Sequence, residues 1–127
     1  MAHIATDLAV TLPEDRPGML ARALGAVGDA GINIEGYAEM EGVVHLLTTE
    51  VDAARRALGA AGFQVVREQP IVVVPVEDRP GAAAQVFRRI ADAKINLRFS
   101  YLATGNRLVI SAENLDAVIA ALAGQPT

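Results

Sequence analysis

The sequence has 127 residues, 52% of them hydrophobic and 20% charged, which suits one compact domain or two very small ones and is too apolar for disorder. The net charge of −4, the scatter of the eleven basic residues and an aromatic content of 4% speak against nucleic acid, which needs a basic stripe or a stacking platform. The absence of cysteine excludes disulfides, thiolate catalysis and thiolate-bound metals.

From the N-terminus, Met1 to Val10 carries Asp7 and no basic n-region, so it does not read as a secretory signal. Leu8, Val10 and Leu12 alternate as in a strand with one buried face. Pro17 stands where a helix can begin, and Leu20, Leu24 and Val27 follow at helical spacing up to Gly28 and Gly31. Ile32 to Met40 is expected to be a second strand, Glu41-Gly42 a turn and Val43 to Thr48 a third strand. Thr49 is placed to cap a second helix, whose apolar face is Val51, Ala54 and Leu58 and whose end is Gly62. Phe63 to Glu68 reads as a further strand. After Gln69-Pro70 comes the β-branched run from Ile71, expected to be buried on both faces. That run is six residues even with Pro75 included, far short of the roughly 20 needed to span a bilayer. A helix lined by Ala83, Val86, Phe87 and Ile90 follows. Then come a hairpin of Leu97 to Ala103 and Arg107 to Ala112 around Thr104-Gly105-Asn106, and a last helix on Leu115, Val118, Ile119 and Leu122.

This order is one pattern written twice. Glu14-Asp15-Arg16-Pro17-Gly18 returns unchanged 63 positions later as Glu77-Asp78-Arg79-Pro80-Gly81. At the same offset Ile32-Asn33-Ile34 matches Ile95-Asn96-Leu97, and beyond the hairpin Val51-Asp52-Ala53 matches Leu115-Asp116-Ala117 at an offset of 64. The expected fold is therefore α+β: tandem ferredoxin-like βαββα(β) modules, residues 1–69 and 70–127, each an antiparallel sheet with its helices on one face. The second copy lacks its own last strand. The short Gln69-Pro70 link suggests that Phe63 to Glu68 folds back on Ile71 to Val76 as a hairpin and supplies it. An edge left unpaired would be covered most simply in a homodimer.

The repeated Asp-Arg-Pro-Gly strings carry the chemistry. A glycine at a helix start costs up to about 1 kcal/mol relative to alanine. It leaves the first-turn N–H groups, at Gly18, Met19 and Leu20 and at Gly81 and Ala82, open to a carboxylate. A purely structural use of these glycines, in close packing, is the competing reading. Asn33 and Asn96 are either turn residues bonded to their own backbone or, with Asp15 and Asp78, acceptors for an ammonium group. Both ends together suit an α-amino acid.

Strand, Asp-Arg-Pro-Gly, helix, Gly-Ile-Asn-Ile resembles the ACT domain, the amino-acid-binding module of phosphoglycerate dehydrogenase and aspartokinase, and does so in both copies. The resemblance implies a βαββαβ fold with the ligand held between paired modules, contacted by Asp15, Asn33, Asp78 and Asn96, with Gly18 and Gly81 shaping the loop. Lys94 departs from it by standing where the first copy has Gly31, and Pro13 and Val76 stand where some members carry a polar side chain.

Elsewhere little competes. His45 reads as a strand residue whose counterpart is Val109, and neither it nor His3 has a metal-ligand partner at a known spacing. The side chains of Met19 and Met40 read as core filler. No phosphate loop or nucleophile elbow is present. The expectation is a non-catalytic, cytoplasmic regulatory protein without metal or cofactor, binding a free amino acid and no membrane, with a metabolic enzyme as a possible partner. A ligand-free interaction or oligomerisation module is the alternative, and a small ferredoxin-like enzyme comes last, for want of a nucleophile or base.

Overall fold

The computed structural model describes residues 1–13 and 16–123. The fold is mixed α/β with antiparallel strands and, among the described residues, four helices: β1 (His3–Thr11), α1 (Met19–Asp29), β2 (Gly36–Met40), β3 (Val43–Leu47), α2 (Val51–Ala60), β4 (Gln64–Pro75), α3 (Ala82–Asp92), β5 (Leu97–Ala103), β6 (Arg107–Ala112) and α4 (Leu115–Leu122). Among the described residues no helix is long and apolar enough to cross a membrane.

The chain divides into two compact units, Thr6–Gln69, and Met1–Ala5 together with the chain from Pro70 on. In the first, β3 pairs antiparallel with both β1 and β2. Leu8, Val10, Val44 and Leu46 from the strands join Met19, Ala23, Val27, Ala54 and Leu58 from the helices in one core. Alternate strand residues share a face, so both helices cover the same face. In the second unit β6 pairs antiparallel with β4 and β5. Its core joins Val72, Val74, Leu108 and Ile110 to Val86, Ile90, Val118 and Leu122.

Two strands depart from the sequence reading. Gln69-Pro70 is not a turn: β4 runs unbroken from Gln64 to Pro75. Proline removes a donor but not the extended conformation, and the β-branched residues on either side favour extension. The segment expected to complete the second copy stays with the first unit. The chain's first five residues, read as part of the first module, fall instead in the second unit, where Ala2 packs against the core that holds Val72 and Val74.

Smaller corrections have local causes. β2 begins at Gly36, not Ile32, because the preceding residues complete the end of α1. Gly31 takes φ 79°, its N–H donates to Gly28 O and that of Ile32 donates to Val27 O. This pair of bonds closes a helix through a left-handed residue, with Ile32 packed in the same core as Val27. α2 and α3 close the same way, through Gly62 and Lys94. Pro17 precedes α1, whose N-cap is Gly18. Thr49 does not cap α2; its N-cap is Glu50, whose N–H donates to Thr48 Oγ1 at 3.2 Å. On α3 the buried residues are Ala82, Val86 and Ile90, while Ala83 is exposed.

The repeat also shifts in register before the helix. Leu12 N–H donates to Gly42 O and Val76 N–H donates to Asn106 O, so Leu12, not Pro13, is the counterpart of Val76. The loop leading to α1 is one residue longer than its twin. The strands before both loops are therefore related by 64 positions.

Candidate functional site

Gly18 and Gly81 are the N-caps of α1 and α3, at φ 90°, ψ −9° and φ 85°, ψ −9°. This left-handed conformation is strained for any residue with a Cβ, which is why both copies have glycine here. A Cβ at either site would meet nothing within 4 Å, so backbone conformation rather than crowding sets the requirement. A glycine cap brings no side-chain acceptor, and neither helix start has a side-chain cap. First-turn N–H groups lack intrahelical partners. Neither start is closed by a side chain, although at α3 the Ala82 N–H already donates to Arg79 O at 3.2 Å.

Each start borders its own hollow. The first, about 710 Å³, is lined by Leu12, Pro13, Arg16, Gly18, Met19, Leu20 and, from the β2–β3 hairpin, Glu39, Glu41 and Gly42. Glu41 and Gly42 turn that hairpin with φ 51° and 82°, and Glu39 Oε2 accepts the Gly42 N–H at 3.1 Å. The side chain of Met19 is buried in the core, with the Arg16 Nε 3.4 Å from its sulfur. The second hollow, about 480 Å³, is lined by Val76, Glu77, Arg79, Ala82, Ala84, Gln85, Arg88 and Arg89.

Of the residues singled out in the sequence, Gly18, Met19 and Leu20 line the first hollow and Ala82 lines the second, at the helix start that Gly81 shapes. Asp15 lies outside the described residues. Asp78 is exposed in the loop before α3. The asparagines are elsewhere: Asn33 is exposed in the irregular segment after α1, and Asn96 lines a third hollow with Lys94, Glu113 and Asp116. α1 and α3 each have 11 residues, about 16 Å at 1.5 Å per residue. Within either unit, then, the glycine and the asparagine stand at opposite ends of a helix and do not converge on one ligand.

One polar cluster went unrecognised in the sequence. Asp7 is fully buried, on the face of β1 opposite the core residues Leu8 and Val10. Its Oδ2 lies 2.8 Å from His45 Nδ1 and accepts from Gln69 Nε2 at 3.2 Å. His45 is thus more than a plain strand residue: its imidazole satisfies a carboxylate that would be costly to bury alone. The available signal was the pairing of β1 with β3, which sets Ala9 opposite His45 and Asp7 opposite Leu47, so that the two polar side chains are diagonal neighbours. Among the described residues no cluster of three or more metal-ligating side chains occurs.

No protein-family model matches the sequence, and no curated protein matches it. Solved structures do. The chain is similar to protein BT0572 from Bacteroides thetaiotaomicron, with a TM-score of 0.79 and 26% identity over 95% of this chain and 88% of that one. It is similar to the aspartokinase alpha and beta subunits, with a TM-score of 0.64 and 18% identity over 95% and 93% of the two chains. The regulatory subunit of aspartate kinase from Thermus flavus gives a TM-score of 0.62 and 16% identity over 96% and 93%. At such identities the likeness establishes the fold. The chain matched over nearly its full length in the last case is a regulatory subunit.

Proposed function

We propose that this chain is an ACT-type regulatory protein that senses a free amino acid. The observation that carries the reading is the pair of helix starts at Gly18 and Gly81. Each is held open by a left-handed glycine, has no side-chain cap and stands beside a hollow. A carboxylate there meets backbone donors and the positive end of a helix dipole. In this reading the chain holds two ferredoxin-like modules, one within residues 1–69 and one within 70–127 that takes in the first five residues. Ligand is bound between paired modules, where Asp15, Asn33, Asp78 and Asn96 receive the ammonium group. Assembly as a homodimer and a metabolic enzyme as the regulated partner belong to the same proposal. The similarity to aspartate kinase regulatory subunits supports it.

A thermal-shift screen against the twenty amino acids tests it. A ligand that binds only the folded state at a hundred times its Kd adds about 2.7 kcal/mol, several degrees for a protein of this size. At least one amino acid should raise Tm in this way, and a flat response to all twenty overturns the reading.

A further inference from the structure

We infer that the hollow beside α3 selects a small ligand carrying two carboxylates, and hence, on the amino-acid reading above, an acidic amino acid. Three guanidinium groups, Arg79, Arg88 and Arg89, line it against a single carboxylate, Glu77, on a chain whose net charge is −4. Two of the three are already held in place. Arg79 pairs with Glu77 and donates from Nη2 to Gln85 Oε1 at 3.0 Å. Arg89 donates to the carbonyls of Ala121 and Ala123 at 3.1 and 3.0 Å, at the end of α4. Arg88 is exposed and, among the described residues, makes no hydrogen bond or ion pair. Gln85, Arg88 and Arg89 are three and four residues apart and so share one side of α3.

The fold does not require this charge. At the helix offset of 63, Arg88 and Arg89 correspond to Gly25 and Ala26 of α1, and α1 forms an 11-residue helix without them. The hollow at α1 is of opposite character, with Glu39 and Glu41 beside Arg16. A guanidinium recognises a carboxylate through paired N–H donors. The volume of about 480 Å³ lies within the usual range for a small-molecule site. One carboxylate is met at the helix start and the second by Arg88.

Calorimetry on the full chain with L-aspartate, L-glutamate, their amides and succinate, repeated on Arg88→Gln and Arg88→Lys, tests this. An acid should bind at least tenfold more tightly than its own amide. Arg88→Gln should abolish that preference without weakening the amide, and Arg88→Lys should keep part of it. If amino acids bind but acid and amide bind alike, or if Arg88→Gln keeps the preference, the inference falls and the amino-acid reading stands. Succinate binding that depends on Arg88, with no amino acid bound, keeps the selection for two carboxylates and overturns the amino-acid reading. If none of the five ligands binds, the inference falls, and the twenty-amino-acid screen decides the reading separately.

Discussion

The two units repeat each other's backbone far more faithfully than each other's side chains. Gly18 and Gly81 agree within 5° in φ and share the same ψ. α1 and α3 close through the same pair of backbone bonds. Yet Asp7 and His45, hydrogen-bonded at 2.8 Å, correspond at the strand offset of 64 to Ile71 and Val109, both fully buried. One sheet position therefore accommodates either a carboxylate–imidazole pair or two aliphatic side chains. The conserved features are those that fix backbone geometry, and the diverged ones alter the chemistry that the same frame presents.

The largest expected effect follows from that exchange. His45→Val should cost about 2–3 kcal/mol in urea unfolding, because a buried carboxylate loses a partner while its desolvation remains. Adding Asp7→Ile, which copies the second unit, should return stability to within about 1 kcal/mol of the parent, since the carboxylate whose burial is costly is then gone. A double variant no more stable than the single would show that the two sheets do not tolerate the same chemistry.

The helix ends provide a smaller and reciprocal test. Lys94 holds φ 61° where Gly31 holds 79°, and a left-handed residue with a Cβ costs roughly 1 kcal/mol. Lys94→Gly should stabilise the protein by about that amount and Gly31→Lys should destabilise it by as much, measured in the same urea titration. A Lys94→Gly variant less stable than the parent would mean that the lysine side chain contributes more than its backbone strain costs.

The smallest effect belongs to a surface network with no counterpart among the described residues of the second unit. Arg55 pairs with Asp52 and Glu68 at 2.6 and 2.8 Å, and its hydrogen bond holds the Glu68 carboxyl below the usual carboxylate range. A carboxylate depressed in the folded state stabilises it at neutral pH, and that contribution is lost as pH falls through the folded value. Arg55→Ala should therefore lower Tm slightly at pH 7, and the difference should vanish in acid. A difference that persists unchanged at low pH would place the effect in packing instead. These exposed groups are screened by solvent, so the change is small.

Much of this was legible in the residues. The recurrence of Glu-Asp-Arg-Pro-Gly marks both helix starts, and Leu8, Val10, Val86 and Ile90 follow periodicities that name core faces. These are short-range constraints: a left-handed glycine, an alternating strand and an amphipathic helix are properties of a few consecutive residues. Tertiary structure decided the rest. Gln69-Pro70 carries the local signature of a turn, but the extended runs on either side made it the middle of one strand. Met1–Ala5 joined the second unit, where Ala2 packs on the core of Val72 and Val74, although no local pattern ties that segment to them. Asp7 and His45 are 38 positions apart and meet only through strand register. Local sequence determines backbone conformation over one or two turns, whereas partners distant in the chain are chosen by which arrangement buries the most apolar surface and satisfies the polar groups buried with it.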